Sequence, residues 1–354
     1  KHACSDSKLN KSAFSQYFSY RQVIDGGTFF ENVSQVEPGT NLIYNNGSIK
    51  VEKYWDVPAI FERKTNSKNK LIQELDKILH SSVKYRMIAD VPIGSFLSGG
   101  LDSSALVWEM SRITEKPIKT YSIGFKEKNF NEFEYAQIVA NQCKTDHHEI
   151  VLNESEYNNS IKTLINIKGA PLAVPNEIAL YNLTKLLYPD VKVILSGEGA
   201  DEIFGGYGRI FRSAFDYERV KNTKSKISKE FQKNLNKQYN NIDWKNESEH
   251  FLSQYEYIPF RDQEDIFSND FKKNLNKDYN KENTFKNLLD GLNESSLSEK
   301  YMWLFQKIHI RGLLGRLDTA TMANSIEGRV PFLDHRLIEF MNGISMDYKL
   351  KWKS

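Results

Sequence analysis

The stretch Ser98-Gly99-Gly100-Leu101-Asp102-Ser103-Ser104 constrains this chain more than any other. Phe96 and Leu97 lead into it, and Ala105, Leu106, Val107, Met110 and Ile113 follow at mostly helical spacing. That pattern predicts a strand, a tight glycine turn and a helix. Glycines let backbone N–H groups come close to a ligand, and a helix N-terminus carries partial positive charge. Hydroxyls at Ser98, Ser103 and Ser104 add donors, so the segment reads as a phosphate cradle. Asp102 would repel phosphate unless a divalent cation lay between them, which suggests metal-bound pyrophosphate. The turn lacks the Gly-x-x-x-x-Gly-Lys-Ser/Thr pattern and has no lysine to meet a γ-phosphate. An ordinary strand–helix turn with an acid in its first helical turn is the plainer alternative.

A chain of 354 residues is too long for one small core and suggests two domains, or one large domain with an appendage. With 40% hydrophobic and 27% charged residues it has the composition of a soluble globular protein. A formal net charge of +2 gives no electrostatic case for nucleic acid or an anionic membrane. No apolar stretch approaches the roughly 20 residues that span a bilayer, and the N-terminus lacks a signal-peptide core. Cys4 and Cys143 form neither a disulfide framework nor a metal spacing, so a cytoplasmic location is expected.

Residues 1–57 differ from the rest. Short β-type runs at 16–24, 41–44 and 48–54 are punctuated by Asp25-Gly26-Gly27, Pro38-Gly39 and the hairpin signal Asn45-Asn46-Gly47. The segment is too small for its own core and reads as the tail of a β-rich domain, an independent small β-module being the competing reading. A polar linker follows at 58–67, then an amphipathic helix marked by Leu71, Leu75, Ile78, Leu79 and Val83. Beyond the cradle, strands are expected at 118–125, 147–152 and 191–195, with helices around 136–143, 160–167 and 178–187. Asn131 and Glu134 have the spacing of a capping box. Strands alternating with helices predict an α/β fold, a parallel sheet with helices on both faces. Residues 221–293 are rich in Lys, Asn, Ser and Glu with scattered aromatics, and read as solvated helices and loops.

A second turn, Ser196-Gly197-Glu198-Gly199-Ala200-Asp201-Glu202 running on to Gly205-Gly206-Tyr207, repeats the logic of the cradle. In open parallel sheets ligands sit beyond the carboxyl ends of strands, so both turns can face one crevice. Asp102 and Asp201 could then share magnesium on a triphosphate, and Glu198 could handle a proton or hold an ammonium-bearing nucleophile. The plainer alternative is that these acids complement a helix dipole, worth about 0.3–1 kcal/mol each. That is our reading for Glu202, whereas the glycines around Glu198 and Asp201 point to function.

The cradle motif resembles that of the ATP pyrophosphatases, which cleave ATP between the α- and β-phosphates and adenylate a substrate. Together, Ser98–Ser104, Ser196–Tyr207 and Arg329–Leu337 resemble the synthetase domain of glutamine-hydrolysing asparagine synthetases, over about residues 60–354. Residues 18–58 resemble the end of that family's N-terminal glutaminase domain. The resemblance implies an adenine nucleotide α-hydrolase-like sheet with a helical C-terminal lobe, organised as a glutaminase remnant at 1–57 and a synthetase domain at 58–354. It implies adenylation of the β-carboxylate of aspartate by ATP with Mg2+, then displacement of AMP by ammonia, drawn from glutamine in the whole protein. It assigns Ser98, Gly99, Gly100, Asp102 and Ser103 to pyrophosphate and magnesium, and Leu97 and Ile123 to nucleotide contact. Ser196 and Gly197 fall near the adenosine and α-phosphate, Glu198 matches the catalytic glutamate, and Asp201 the second metal-side carboxylate. It also allows a homodimer, with no nucleic acid or membrane partner.

The motif around Arg329 and Asp334 reads equally well as a structural Arg–carboxylate tie. Two departures stand out. The family's glutaminase uses an N-terminal cysteine, but position 1 is Lys1 and Cys4 has no free α-amine. An essential lysine of the family is expected near Ser354, where Lys349, Lys351 and Lys353 do not clearly match. These point to a fragment of a longer protein. Two alternatives keep the nucleotide site but change its use: another carboxylate acceptor, as in β-lactam or peptide cyclases and sugar-acid amidation, or an ATP-binding module without turnover.

Overall fold

The computed structural model describes residues 8–59, 63–127, 131–188, 190–223, 228–273, 275, 282–292 and 295–351. Lys1, Cys4, Lys353 and Ser354 lie outside them. The chain divides into two units, Lys1–Ile60 with Tyr207–Ile308, and Phe61–Gly206 with His309–Ser354.

In the first unit, strands β1 (Thr40–Asn45) and β2 (Ser48–Lys53) form the antiparallel hairpin that Asn46-Gly47 specifies, both turn residues having positive φ. Of the run at 16–24, expected to be β-type, residues 16–20 belong instead to helix Lys11–Tyr20 and 21–24 to the irregular segment after it. Its aromatic residues favour strands, but tertiary contacts override that preference. Ala13, Gln16 and Tyr20 share its buried face, and Ser15 and Ser19 hydrogen-bond to the Gln263 side chain. The stretch at 221–293 also departs from expectation. Its described lysines and asparagines are mostly exposed, but Trp244, His250, Phe251, Tyr255 and Phe285 are buried with Tyr301 and Phe305. Rings in such clusters pack edge-to-face, as Phe251 does on Tyr301, and bury far more apolar surface than their number suggests.

The second unit is built on a parallel sheet of β3 (Ile93–Phe96), β4 (Lys119–Phe125), β5 (Asp146–Leu152), β6 (Val193–Leu195) and β7 (Glu327–Arg329), in the order β5-β4-β3-β6-β7. Helices cover both faces, confirming the α/β architecture. On one face Tyr121 and Ile194 pack with Leu183 and Leu187 of helix Asn176–Leu187. On the other, Leu97 and Val107 pack with Ala136 and Ala140 of helix Phe133–Cys143. From β3 the chain moves outward through β4 and β5, then returns to place β6 on the opposite side of β3. The crevice between β3 and β6 is therefore a topological switch point, where such sheets bind ligands. β7 is too short and polar to show a strand pattern, and it pairs only because Glu327, Gly328 and Arg329 align with β6. Asn131 does not form the expected capping box. Its side chain bonds both the N–H and the C=O of Phe125 and closes the loop after β4. No helix among the described residues is long and apolar enough to cross a membrane.

The segment after β7 is tied down by charge. Arg329 donates to the carbonyls of Arg86 and Ile88, and Ser82 to that of Pro331. Asp334 caps helix His335–Asn342 and accepts from Arg86 at 2.9 Å and from Arg336 at 2.9 and 2.8 Å. Burial works to raise the Asp334 carboxyl, but hydrogen bonds from Arg336 and Arg86 outweigh it and hold it well below the ordinary range. This is the structural tie.

A group whose folded pKa is depressed contributes stability above its unfolded pKa, near 4, and loses it as pH falls further. Asp334→Asn should therefore cost about 1.5–3 kcal/mol at pH 7 in urea unfolding. The gap between parent and variant should narrow as the pH is lowered from about 4 to 2.

Candidate active site

The cradle forms where β3 ends, because the chain must reverse from strand to helix within four residues. Gly99 takes φ +82°, and a Cβ there would lie 2.5 Å from the Tyr135 Cβ and 2.6 Å from the Ala136 nitrogen. Only glycine permits both the backbone conformation and the approach of helix Phe133–Cys143. The expected hydroxyl donors turn inward. Ser103 and Ser104 donate to the Gly100 carbonyl, Ser98 Oγ lies 3.0 Å from Ser103 Oγ, and the Gly100 N–H bonds Ser98 Oγ at 3.2 Å. They hold the turn in shape at the start of helix Leu101–Ile113, whose N-terminus has no side-chain cap.

The second turn lies directly against the first. A Cβ on Gly197 would meet the Ser103 nitrogen at 3.1 Å and the Asp102 carbonyl carbon at 3.3 Å, so any larger residue would push the turns apart. Ser196, 6% exposed, donates its N–H to the Arg329 carbonyl, which extends the β6–β7 pairing into the site. Asp102 and Asp201 come close enough to repel. Burial and the Asp201 charge raise the Asp102 carboxyl, and burial raises that of Asp201. Neither carboxylate has a hydrogen-bond or ion-pair partner among the described residues.

Two hard oxygen donors with unrelieved repulsion fit a magnesium ion. No group of three or more His, Cys, Asp or Glu able to hold a metal occurs among the described residues. The pair would thus need phosphate oxygens and water to complete the shell, which is how magnesium usually binds at phosphate sites.

Glu198 is nearly buried and forms an ion pair with Arg316 of helix Ile310–Met322 through Oε1. Burial pushes its carboxyl up, against the pull of Arg316. The second oxygen, Oε2, is buried without a hydrogen-bond partner. Arg316 also reaches Asn176 Oδ1 at 3.2 Å. Sequence reading assigned neither residue a role, although a lone arginine between Leu313-Leu314 and Leu317 is a signal of a buried charge seeking a partner.

The remaining candidates are more peripheral. Leu97 is fully buried, and its N–H and carbonyl are used by Tyr121 and Ser122, so it forms the floor of the cradle. Ile123 is part-buried on β4 and lines a cavity of about 730 Å³ with Phe125, Asn153, Tyr157 and Asn176.

A family model described as Asparagine synthase matches residues 74–353. The glutamine-hydrolyzing asparagine synthetase 1 of Bacillus subtilis is 32% identical over 99% of this chain and 55% of its own length. A putative glutamine-hydrolyzing asparagine synthetase 2 of Methanocaldococcus jannaschii is 36% identical over 56% of this chain and 39% of its own. The amidase chyE of Penicillium rubens is 24% identical over 93% of this chain and 54% of its own. The chain thus spans between 39% and 55% of the length of these relatives.

The cradle makes a specific demand on Gly99. Gly99→Ala should lose about 2–5 kcal/mol in urea unfolding, from backbone strain plus overpacking. Gly169→Ala, also at positive φ but with nothing within 4 Å of its Cβ, should lose only the strain, about 1–2 kcal/mol.

Proposed function

This chain belongs to the asparagine synthase family, and we propose that it is an ATP-dependent ligase converting aspartate to asparagine with release of AMP and pyrophosphate. The observation that carries this reading is the seating of Gly197 on Asp102 and Ser103, which joins the phosphate cradle to the turn that holds Glu198. A carboxylate is a poor acyl donor until one of its oxygens becomes a phosphate ester. In the proposed path the β-carboxylate of aspartate attacks the α-phosphorus of ATP, the bond to the bridging oxygen breaks, and pyrophosphate leaves. Ammonia then attacks the acyl carbon and AMP departs with the electron pair of the broken C–O bond.

The residues divide this work. The cradle formed by Ser98, Gly99, Gly100 and Ser103 would receive the pyrophosphate at the N-terminus of helix Leu101–Ile113. Asp102 and Asp201 would hold magnesium, which when bound neutralises charge on the leaving pyrophosphate. Ser196 and Gly197 lie beside the adenosine and α-phosphate, Leu97 shapes the floor beneath, and Ile123 borders the space for the nucleoside. Glu198 takes a proton from the incoming nitrogen. Nitrogen would come from free ammonia, or from glutamine through a glutaminase domain whose final segment we read in residues 1–57. The kinship with an amidase favours a second reading, in which the same activation serves a different carboxylate.

Pyrophosphate release from ATP-Mg with ammonium should depend on aspartate, not glutamate, and asparagine should appear alongside it. Asp102→Asn should lower that release at least about 100-fold, the usual scale for losing one electrostatic stabiliser. ATP binding without pyrophosphate release, whatever carboxylate is supplied, would count against a ligase. Release with a different carboxylate would redirect the reading to the second one.

A further inference from the structure

The ligase reading gives Glu198 a role but leaves its ion-pair partner, Arg316, without one. Each is mostly enclosed, with side chains 19% and 12% exposed. Their contact consumes Oε1 of the carboxylate and Nη2 of the guanidinium. Nη1 of Arg316 is taken by Asn176, the first residue of helix Asn176–Leu187. What remains is one buried acceptor, Glu198 Oε2, and one buried donor, Arg316 Nε, both without a partner among the described residues. Buried polar atoms are ordinarily hydrogen-bonded, so two left open in one ion pair point to a ligand that completes them.

We propose that Arg316 is a positioning residue for amide formation: anchored by Asn176, it captures Oε1 of Glu198 and so presents Oε2 as the single proton acceptor for the incoming nitrogen. The inference rests on the ligase reading and deepens it. A carboxylate free to rotate would offer either oxygen in many orientations, and proton transfer needs one within hydrogen-bond reach of the nitrogen. Fixing one oxygen removes that freedom, an orientational gain realised before the substrate arrives. As the C–N bond forms, one N–H proton passes to Oε2. The C–O bond to phosphorus-bound oxygen breaks, its electron pair leaves on AMP, and Glu198 returns its proton to water.

The guanidinium also opposes the effect of burial, which alone would favour the protonated, non-accepting acid. Lysine at position 316 would supply the charge without the planar fork that reaches both Glu198 and Asn176, so it should restore function only in part.

The test compares asparagine formed per pyrophosphate released, a ratio that cancels any change in overall rate. In Arg316→Gln the ratio should fall at least about 10-fold, because adenylate that meets no activated nitrogen is lost to water, and the KM for ammonium should rise. Arg316→Lys should recover part of the ratio. A merely structural arginine would lower both products together and leave the ratio unchanged, and that result overturns the inference. If Arg316→Gln does not fold, Asn176→Ala decides: a ratio reduced about 3-fold supports the inference, and an unchanged ratio overturns it. If the parent itself forms no pyrophosphate with any carboxylate, the ligase reading has failed separately. Infrared difference spectra with Glu198→Gln as reference then decide. A carboxylate band at pH 7 in the parent that becomes a carboxylic-acid band in Arg316→Gln supports the pairing, and an unchanged band overturns it.

Discussion

The site in the second unit depends on one close approach, that of Gly197 to the first turn of helix Leu101–Ile113. The two turns end neighbouring strands, β3 and β6, which are paired residue for residue from Ile93–Val193 to Ser95–Leu195. That register brings both chain reversals to the same level. The absence of a side chain at Gly197 then allows Asp102 and Asp201 to approach until they repel. Repelling carboxylates at the N-terminal ends of two helices are tolerable because the helix dipoles favour negative charge there.

A second layer of constraint lies behind the turns. Ser196 is held by the Arg329 carbonyl, and Arg329 in turn grips the carbonyls of Arg86 and Ile88. Asp334 binds the C-terminal end of helix Lys68–Arg86 through Arg86. The segment Arg329–Leu337 is thus mostly a brace. Its charged side chains are spent on backbone carbonyls and on each other, which stiffens the floor on which the second turn rests.

Much of this was legible in the sequence because it depends on local chemistry. Glycines flanked by an apolar run and a helical repeat can do little besides turn a strand into a helix, so Ser98–Ser104 and Ser196–Asp201 were located from their residues alone. Asn45-Asn46-Gly47 fixed its hairpin for the same reason. What was not legible depended on distant partners. Helix Lys11–Tyr20 exists because Gln263 and its neighbours receive its polar face, and nothing within the run announces that. β7 has no hydrophobic alternation and is a strand only beside β6. The aromatics of 221–293 were visible, but whether they scatter or converge is decided by helix packing. Arg316 stood in plain view, and only the fold shows which carboxylate it faces.

The division of the chain has a consequence for how the protein comes to be made. Each unit is assembled from two segments, and the segments alternate along the sequence. When β6 emerges from the ribosome, four strands of the sheet are present but one edge of β6 has no neighbour until Glu327–Arg329 is synthesised. Meanwhile the whole aromatic cluster of the other unit must be threaded out, and it in turn completes a core begun by residues at the start of the chain. Contacts this remote slow folding and leave unpaired edges exposed during synthesis. Cutting at any of the three boundaries would leave a unit without part of its core.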